Sequence, residues 1–201
     1  MGCPPTLLVG YADFAALEYL TSTRQNRLVI YVLAYPELER RSAERVSTFR
    51  ATHEPERARL VPPHVTLVFG VANEYLGEVT GLVDTVSHQI EAFPILFDDC
   101  VIEFDPFEKT YKLFLLCGEG SEQISALHNQ LYQGRHRSEL SSAHPFKPHM
   151  TIATYKELAD LEKVDFSAIG ELPIRGNLSA MALVQLEDGC LTTLKMAPLI
   201  A

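Results

Sequence analysis

No apolar run in these 201 residues approaches the roughly 18 residues of a membrane-spanning helix, so no helical span is expected. The N-terminus lacks the basic-then-apolar order of a secretory signal. Positive charge is scarce. The net charge is −9, and residues 61–201 hold 9 Lys/Arg against 19 Asp/Glu. A protein that grips a long nucleic acid usually carries a basic stripe that neutralises many phosphates. The balance here argues against that mode and for a small substrate held by a few local cations. Cysteine is sparse as well: Cys3, Cys100, Cys117 and Cys190 are scattered, with no Cys-x-x-Cys and no zinc-site spacing. Cys100 and Cys117 lie in strand-like runs and read as core thiols. A reducing, cytoplasmic setting fits best. There is no P-loop, so ATP-driven chemistry has no visible machinery.

The first residues, Met1-Gly2-Cys3-Pro4-Pro5-Thr6, formally match a myristoylation pattern, with Cys3 open to a second acyl chain. Two prolines and no following polybasic patch make an untethered terminus the default. Residues 1–26 read as a lead-in with a helical stretch at 12–20. Residues 27–201 read as a single domain, and a monomer is the expected state.

Along the chain, Leu28–Tyr35 is continuous, β-branched and aromatic, which predicts a buried strand. Pro36 then opens an expected helix over 37–52, whose Arg40, Arg41, Arg45 and Arg50 interleave with glutamates and so predict a solvated face. His53 is expected in an exposed loop. A strand over 64–71 follows, then a helix capped by Asn73 and reaching Phe93. Ile95–Phe104 and Tyr111–Cys117, joined by the turn Asp105–Thr110, predict a hairpin. A helix over 121–133 carries His128, expected at the surface. The loop Gly134–Lys147 is the one locally basic segment near a motif. A strand from His149 to Tyr155, a short helix near 157–163, and strands over 172–186 and 190–196 complete the chain. The order predicts an α+β fold with two small antiparallel sheets.

Two stretches stand out, Pro63-His64-Val65-Thr66-Leu67 and Pro148-His149-Met150-Thr151-Ile152. Each reads Pro-His-aliphatic-Thr-aliphatic in an apolar run. Strand side chains alternate faces, so His64 and Thr66 share one face and His149 and Thr151 another. Composition alone predicts about 0.5 His-x-Thr triplets in a chain with this much His and Thr. Two copies in the same local context are a repeated device. The bland alternative is a pair of unrelated core histidines, whose replacement would destabilise the fold.

The pattern, repeated 85 residues apart in ARLVPPHVTLVFG and PFKPHMTIA, resembles the 2H phosphoesterases. These include bacterial 2'-5' RNA ligase-like proteins and cyclic nucleotide phosphodiesterases. The resemblance implies a bilobal fold with outer helices, its halves related by a pseudo-twofold axis around a central cleft. It implies His64 and His149 as acid and base on opposite sides of that cleft, with Thr66 and Thr151 holding the phosphate. The implied partner is a nucleotide or short RNA with a cyclic phosphate, or a 2'-5' linkage. The ligase-like proteins often carry an arginine shortly after the second motif's Thr-aliphatic pair. Here that place reads Ala153-Thr154-Tyr155-Lys156, which leaves the quartet intact and the substrate open.

Two imidazoles flanking a phosphate suit in-line displacement, because a pKa of about 6.5 lets one be neutral and the other protonated near neutrality. The hydroxyls can bond non-bridging oxygens where charge builds. No carboxylate cluster of the magnesium-holding kind is evident, so neither metal nor cofactor is expected. Lys147, Tyr155 and Tyr35 are further substrate-binding candidates. Lys147 precedes His149 by two, Tyr155 sits at even spacing from it, and Tyr35 ends the first strand. Rival readings are an RNA end-processing nuclease or ligase with the same site, and a nucleotide-binding module that kept the cleft without turnover.

Overall fold

A computed structural model of the chain describes residues 6–7, 28–106, 108–140 and 145–201. The expected helix at 12–20, the Gly2–Cys3 acylation site and His144 lie outside the described residues. Two sheets organise the rest.

One sheet has six strands. They are β1 (Thr6–Leu7), β3 (Glu37–Leu38), β5 (Phe93–Asp105), β6 (Thr110–Cys117), β7 (His149–Tyr155) and β8 (Ile174–Leu178). Five of them run in the order β3-β8-β5-β6-β7, and β1 adds in parallel to β5 at Val101–Ile102. The β5–β6 hairpin is the one the sequence predicts.

The other sheet has four strands: β2 (Val29–Ala34), β4 (Val65–Ala72), β9 (Ala180–Glu187) and β10 (Cys190–Pro198). Their order is β10-β9-β2-β4, antiparallel throughout. Every residue of β2 is buried, as its unbroken apolar run predicts for a central strand.

Helices α1 (Arg40–His53), α2 (Pro55–Leu60), α3 (Leu76–Ser87), α4 (Ser121–Leu131) and α5 (Leu158–Leu161) accompany the sheets. Val46 and Phe49 of α1, Val79 and Val83 of α3, and Ile124 and Leu127 of α4 join strand residues in one continuous core. Two smaller clusters lie apart from it: Tyr31, Leu33, Ala182 and Val184 of the four-stranded sheet, and Val101 with Phe114 of the other. Among the described residues no helix is long and apolar enough to cross a membrane.

Several expectations change. Pro36 does not open a helix: Glu37–Leu38 pairs with Asn177–Gly176 as an edge strand, and α1 starts at Arg40. Asn73 starts a short 3-10 turn and makes no side-chain cap, and the helix that follows ends at Ser87, with Phe93 opening β5 instead. The long strand expected over 172–186 is two, β8 and β9, which belong to different sheets and meet at Ser179. No glycine or proline between Leu178 and Glu187 marks that crossing.

Three side chains read as exposed are not. Arg50 is 1% exposed, pairs with Glu54 and donates to the Val61 carbonyl at 3.0 Å. His128 is 2% exposed. His53 closes α1, with its ring centroid 4.3 Å from that of Phe49 and its Nδ1 2.7 Å from the Tyr155 hydroxyl.

Candidate active site

His64 immediately precedes β4 and His149 opens β7, and the same local device anchors both. His64 Nδ1 lies 2.8 Å from the Pro62 carbonyl, and His149 Nδ1 lies 2.7 Å from the Lys147 carbonyl. A carbonyl can accept only, so both rings carry their proton on Nδ1 and leave Nε2 for chemistry. In both cases the acceptor is two residues back, with a proline between.

Directly after each motif threonine the strand carries one extra residue. Leu33 pairs with Thr66 while Val32 pairs with Val68, which leaves Leu67 unmatched. Phe114 pairs with Thr151 while Leu113 pairs with Ala153, which leaves Ile152 unmatched. Such a bulge re-aims the side chains beyond it. Alternation therefore inverts after the threonine in both strands. That is why Tyr155, at even spacing from His149, turns away from the motif face to meet His53, while Thr154 bonds Glu54 at 3.3 Å.

The β4 bulge is supported from α4. His128 Nδ1 donates to the Leu67 carbonyl at 2.8 Å, and the Tyr132 hydroxyl accepts from the Phe69 amide at 3.0 Å. One helical turn separates the two side chains, so α4 serves both backbone groups from one face. The His128 ring also stacks on Phe146 with centroids 3.9 Å apart. Buried backbone groups left unpaired cost about 1–3 kcal/mol each, which explains an inward histidine on a helix whose pattern predicted an outward one.

His64, Thr66, His149 and Thr151 all line one cavity of about 440 Å³. One wall is apolar, with Tyr31, Leu33, Leu60, Leu186 and Leu191. The β5–β6 hairpin contributes Asp105, Glu108, Lys112 and Phe114, and the Phe114 ring centroid is 4.0 Å from that of His149. Arg57 of α2 reaches in as well.

Both imidazoles keep an open edge on the cavity yet are otherwise walled by protein. That burial pulls each down to about 4. The carbonyl at Nδ1 opposes the fall, while Arg50, Arg57 and His149 deepen it for His64, and Lys112 and Lys147 deepen it for His149. In the open cavity both rings are therefore neutral at pH 7. The Tyr31 hydroxyl, buried in the apolar wall, is pushed up to about 12.

The family model described as the 2'-5' RNA ligase superfamily matches residues 38–189. The chain belongs to that superfamily. It is 32% identical over 136 residues to a protein of Oceanobacillus iheyensis assigned by name as a phosphoesterase, covering 66% of this chain and 73% of the relative. A Bacillus licheniformis protein with the same assignment is 27% identical over 131 residues, covering 64% of this chain and 71% of the relative. Among solved structures, E. coli LigT in complex with 3'-AMP aligns with a TM-score of 0.54 at 21% identity, over 89% of this chain and all of that one. TT0787 of Thermus thermophilus aligns with a TM-score of 0.56 at 19% identity, over 85% of this chain and 97% of that one. At such identities the likeness establishes the superfamily's α+β fold.

Of the seven residues singled out from the sequence, the four in the motifs meet in the cavity. The other three do not line it. Tyr35 packs beside the apolar wall. Lys147 Nζ lies 3.1 Å from Glu103 and borders a separate groove against α4. Tyr155 is on the α1 side. Conversely, Arg57, Lys112, Asp105 and Glu108 were not singled out. A lysine isolated in the apolar run of β6 was the one local signal. Asp105 and Glu108 sat inside what read as a plain turn, and nothing local to Arg57 separates it from the solvated charges of its neighbourhood.

Proposed function

We propose that the chain hydrolyses a 2',3'-cyclic phosphate on a small nucleotide or RNA end, by metal-independent acid–base catalysis from His64 and His149. One neutral imidazole takes a proton from the attacking water as its oxygen bonds to phosphorus. The other, protonated, donates to the departing ribose oxygen as that P–O bond breaks. Thr66 and Thr151 bond the non-bridging oxygens, whose charge grows in the transition state. A phosphodiester anion raises the pKa of a neighbouring imidazole, so binding recruits the proton that the acid needs.

The observation that carries this reading is the convergence of both His–Thr pairs on one cavity, each ring held by the same Nδ1 contact. A volume of about 440 Å³ suits a mononucleotide. That E. coli LigT has been crystallised with 3'-AMP supports a ligand of the same chemistry here.

The test is incubation with a panel of 2',3'-cyclic mononucleotides in EDTA, followed by ³¹P NMR. A monophosphate product, lost in His64→Ala and in His149→Ala, is expected, and its isomer identifies the bond broken. Turnover that persists after either substitution sinks the mechanism. Tight nucleotide binding with no product from cyclic or 2'-5'-linked substrates would leave a binding module instead.

A further inference from the structure

The cavity holds a linked ionic group outside both motifs. Arg57 Nη2 lies 3.2 and 3.1 Å from the two carboxylate oxygens of Glu108. Glu108 Oε1 also lies 2.8 Å from Lys112 Nζ, which is 2.6 Å from Asp105 Oδ2. The side chain of Glu108 is 11% exposed and that of Lys112 is 8%. Pairs this enclosed are weakly screened by salt.

Arg57 and Lys112 are the cations among the described residues lining the cavity, against the carboxylates Glu56, Asp105 and Glu108. Both cations already face carboxylates. Burial raises the Glu108 carboxyl, but Arg57 and Lys112 outweigh it and hold the group below its usual range, so it stays charged at neutral pH. A bound anion must therefore be balanced largely by the proton it recruits onto one histidine. That proton supplies a single charge.

We propose, resting on the phosphodiester reading above, that Glu108 is a specificity-determining residue: by occupying Arg57 and Lys112 it matches the cleft to a singly charged phosphodiester and against doubly charged phosphomonoesters. Hydrolysis of a cyclic phosphate converts the first kind into the second, because a phosphomonoester loses its second proton near pH 6. The added charge then finds no spare cation among the described lining residues, which favours release of product. Glu108 acts through its two partners and touches no reacting atom.

The test separates charge from substrate identity. Dimethyl phosphate (one charge) and inorganic phosphate at pH 8 (mostly two) are titrated into the full chain and followed by ³¹P NMR. In the wild type, inorganic phosphate is expected to bind no more than about threefold tighter than dimethyl phosphate. In Glu108→Gln, inorganic phosphate should tighten about tenfold, while dimethyl phosphate changes by less than about threefold. Arg57→Gln should move the ratio the other way, which keeps the question open to measurement if the Glu108 variant does not fold. An unmoved ratio in Glu108→Gln, or a wild type that already prefers inorganic phosphate tenfold, overturns the proposal. A ratio that moves in a protein that turns over no cyclic phosphate supports charge selection and sinks the phosphodiesterase reading. Turnover with an unmoved ratio does the reverse.

Discussion

In β4 the motif threonine, Thr66, stands opposite Leu33 of the apolar lining, whereas in β7 its counterpart, Thr151, stands opposite Phe114, near Lys112, Asp105 and Glu108. The local devices match: a proline before the histidine, a carbonyl two residues back at Nδ1, and one extra residue after the threonine. The surroundings differ. On the proposed mechanism, two proton transfers at one phosphate ask for the same equipment on both sides, which accounts for the matching motifs. What surrounds the two motifs is not constrained in the same way, and it is apolar beside β4 and ionic beside β7.

The largest effect should come from the histidines. His64→Ala and His149→Ala are each expected to lower turnover by about 10²–10⁴-fold, with thermal midpoints within a few degrees of wild type. Equal losses support interchangeable equipment. A tenfold inequality would break that equivalence.

Next come the hydroxyls. Thr66→Val and Thr151→Val are each expected to cost about 10²-fold in kcat with a smaller change in KM, as for a donor that acts on transition-state charge. A loss confined to KM would assign that threonine to ground-state binding.

The α4 support of the β4 bulge gives a stability contrast. Tyr132→Phe leaves the Phe69 amide unpaired and should cost about 1–3 kcal/mol in denaturant melts. Tyr155→Phe removes a hydroxyl that meets a half-buried side chain and should cost less than about 1 kcal/mol. Equal costs would mean that the bulge does not need its clamp.

The last contrast is in pH. Unfolded imidazoles titrate near 6.5, whereas His64 and His149 titrate at about 4 in the fold. Between those values the unfolded chain binds more protons, so the stability these two groups contribute is full above about pH 6.5 and falls as pH drops towards 4. Melting curves from pH 8 to 4 should show the loss, and His64→Ala or His149→Ala should flatten it. A variant as steep as the wild type would place the depressed titration elsewhere.

Much of this was legible in the chain alone. Apolar runs marked β2, β4 and the β5–β6 hairpin, because element type follows from local pattern. The quartet was legible for the same reason. Residues at i and i+2 share a face of any strand, and the repeat of His-x-Thr needs no partner to be seen. The threonine is also where local alternation stops being a guide. Only the neighbouring strand decides where a ladder takes an extra residue, and that decision turned Tyr155 away from the cavity. Arg50 and His128 look like surface residues because their backbone acceptors, the Val61 and Leu67 carbonyls 11 and 61 residues away, become partners only on folding. Arg57 and Glu108 lie 51 residues apart and meet as an ion pair in the cavity lining. Sequence determined which side chains the candidate site presents, since that depends on residue types at short spacing. Tertiary structure decided which charges surround it, since that depends on contacts between strands and helices distant in the chain.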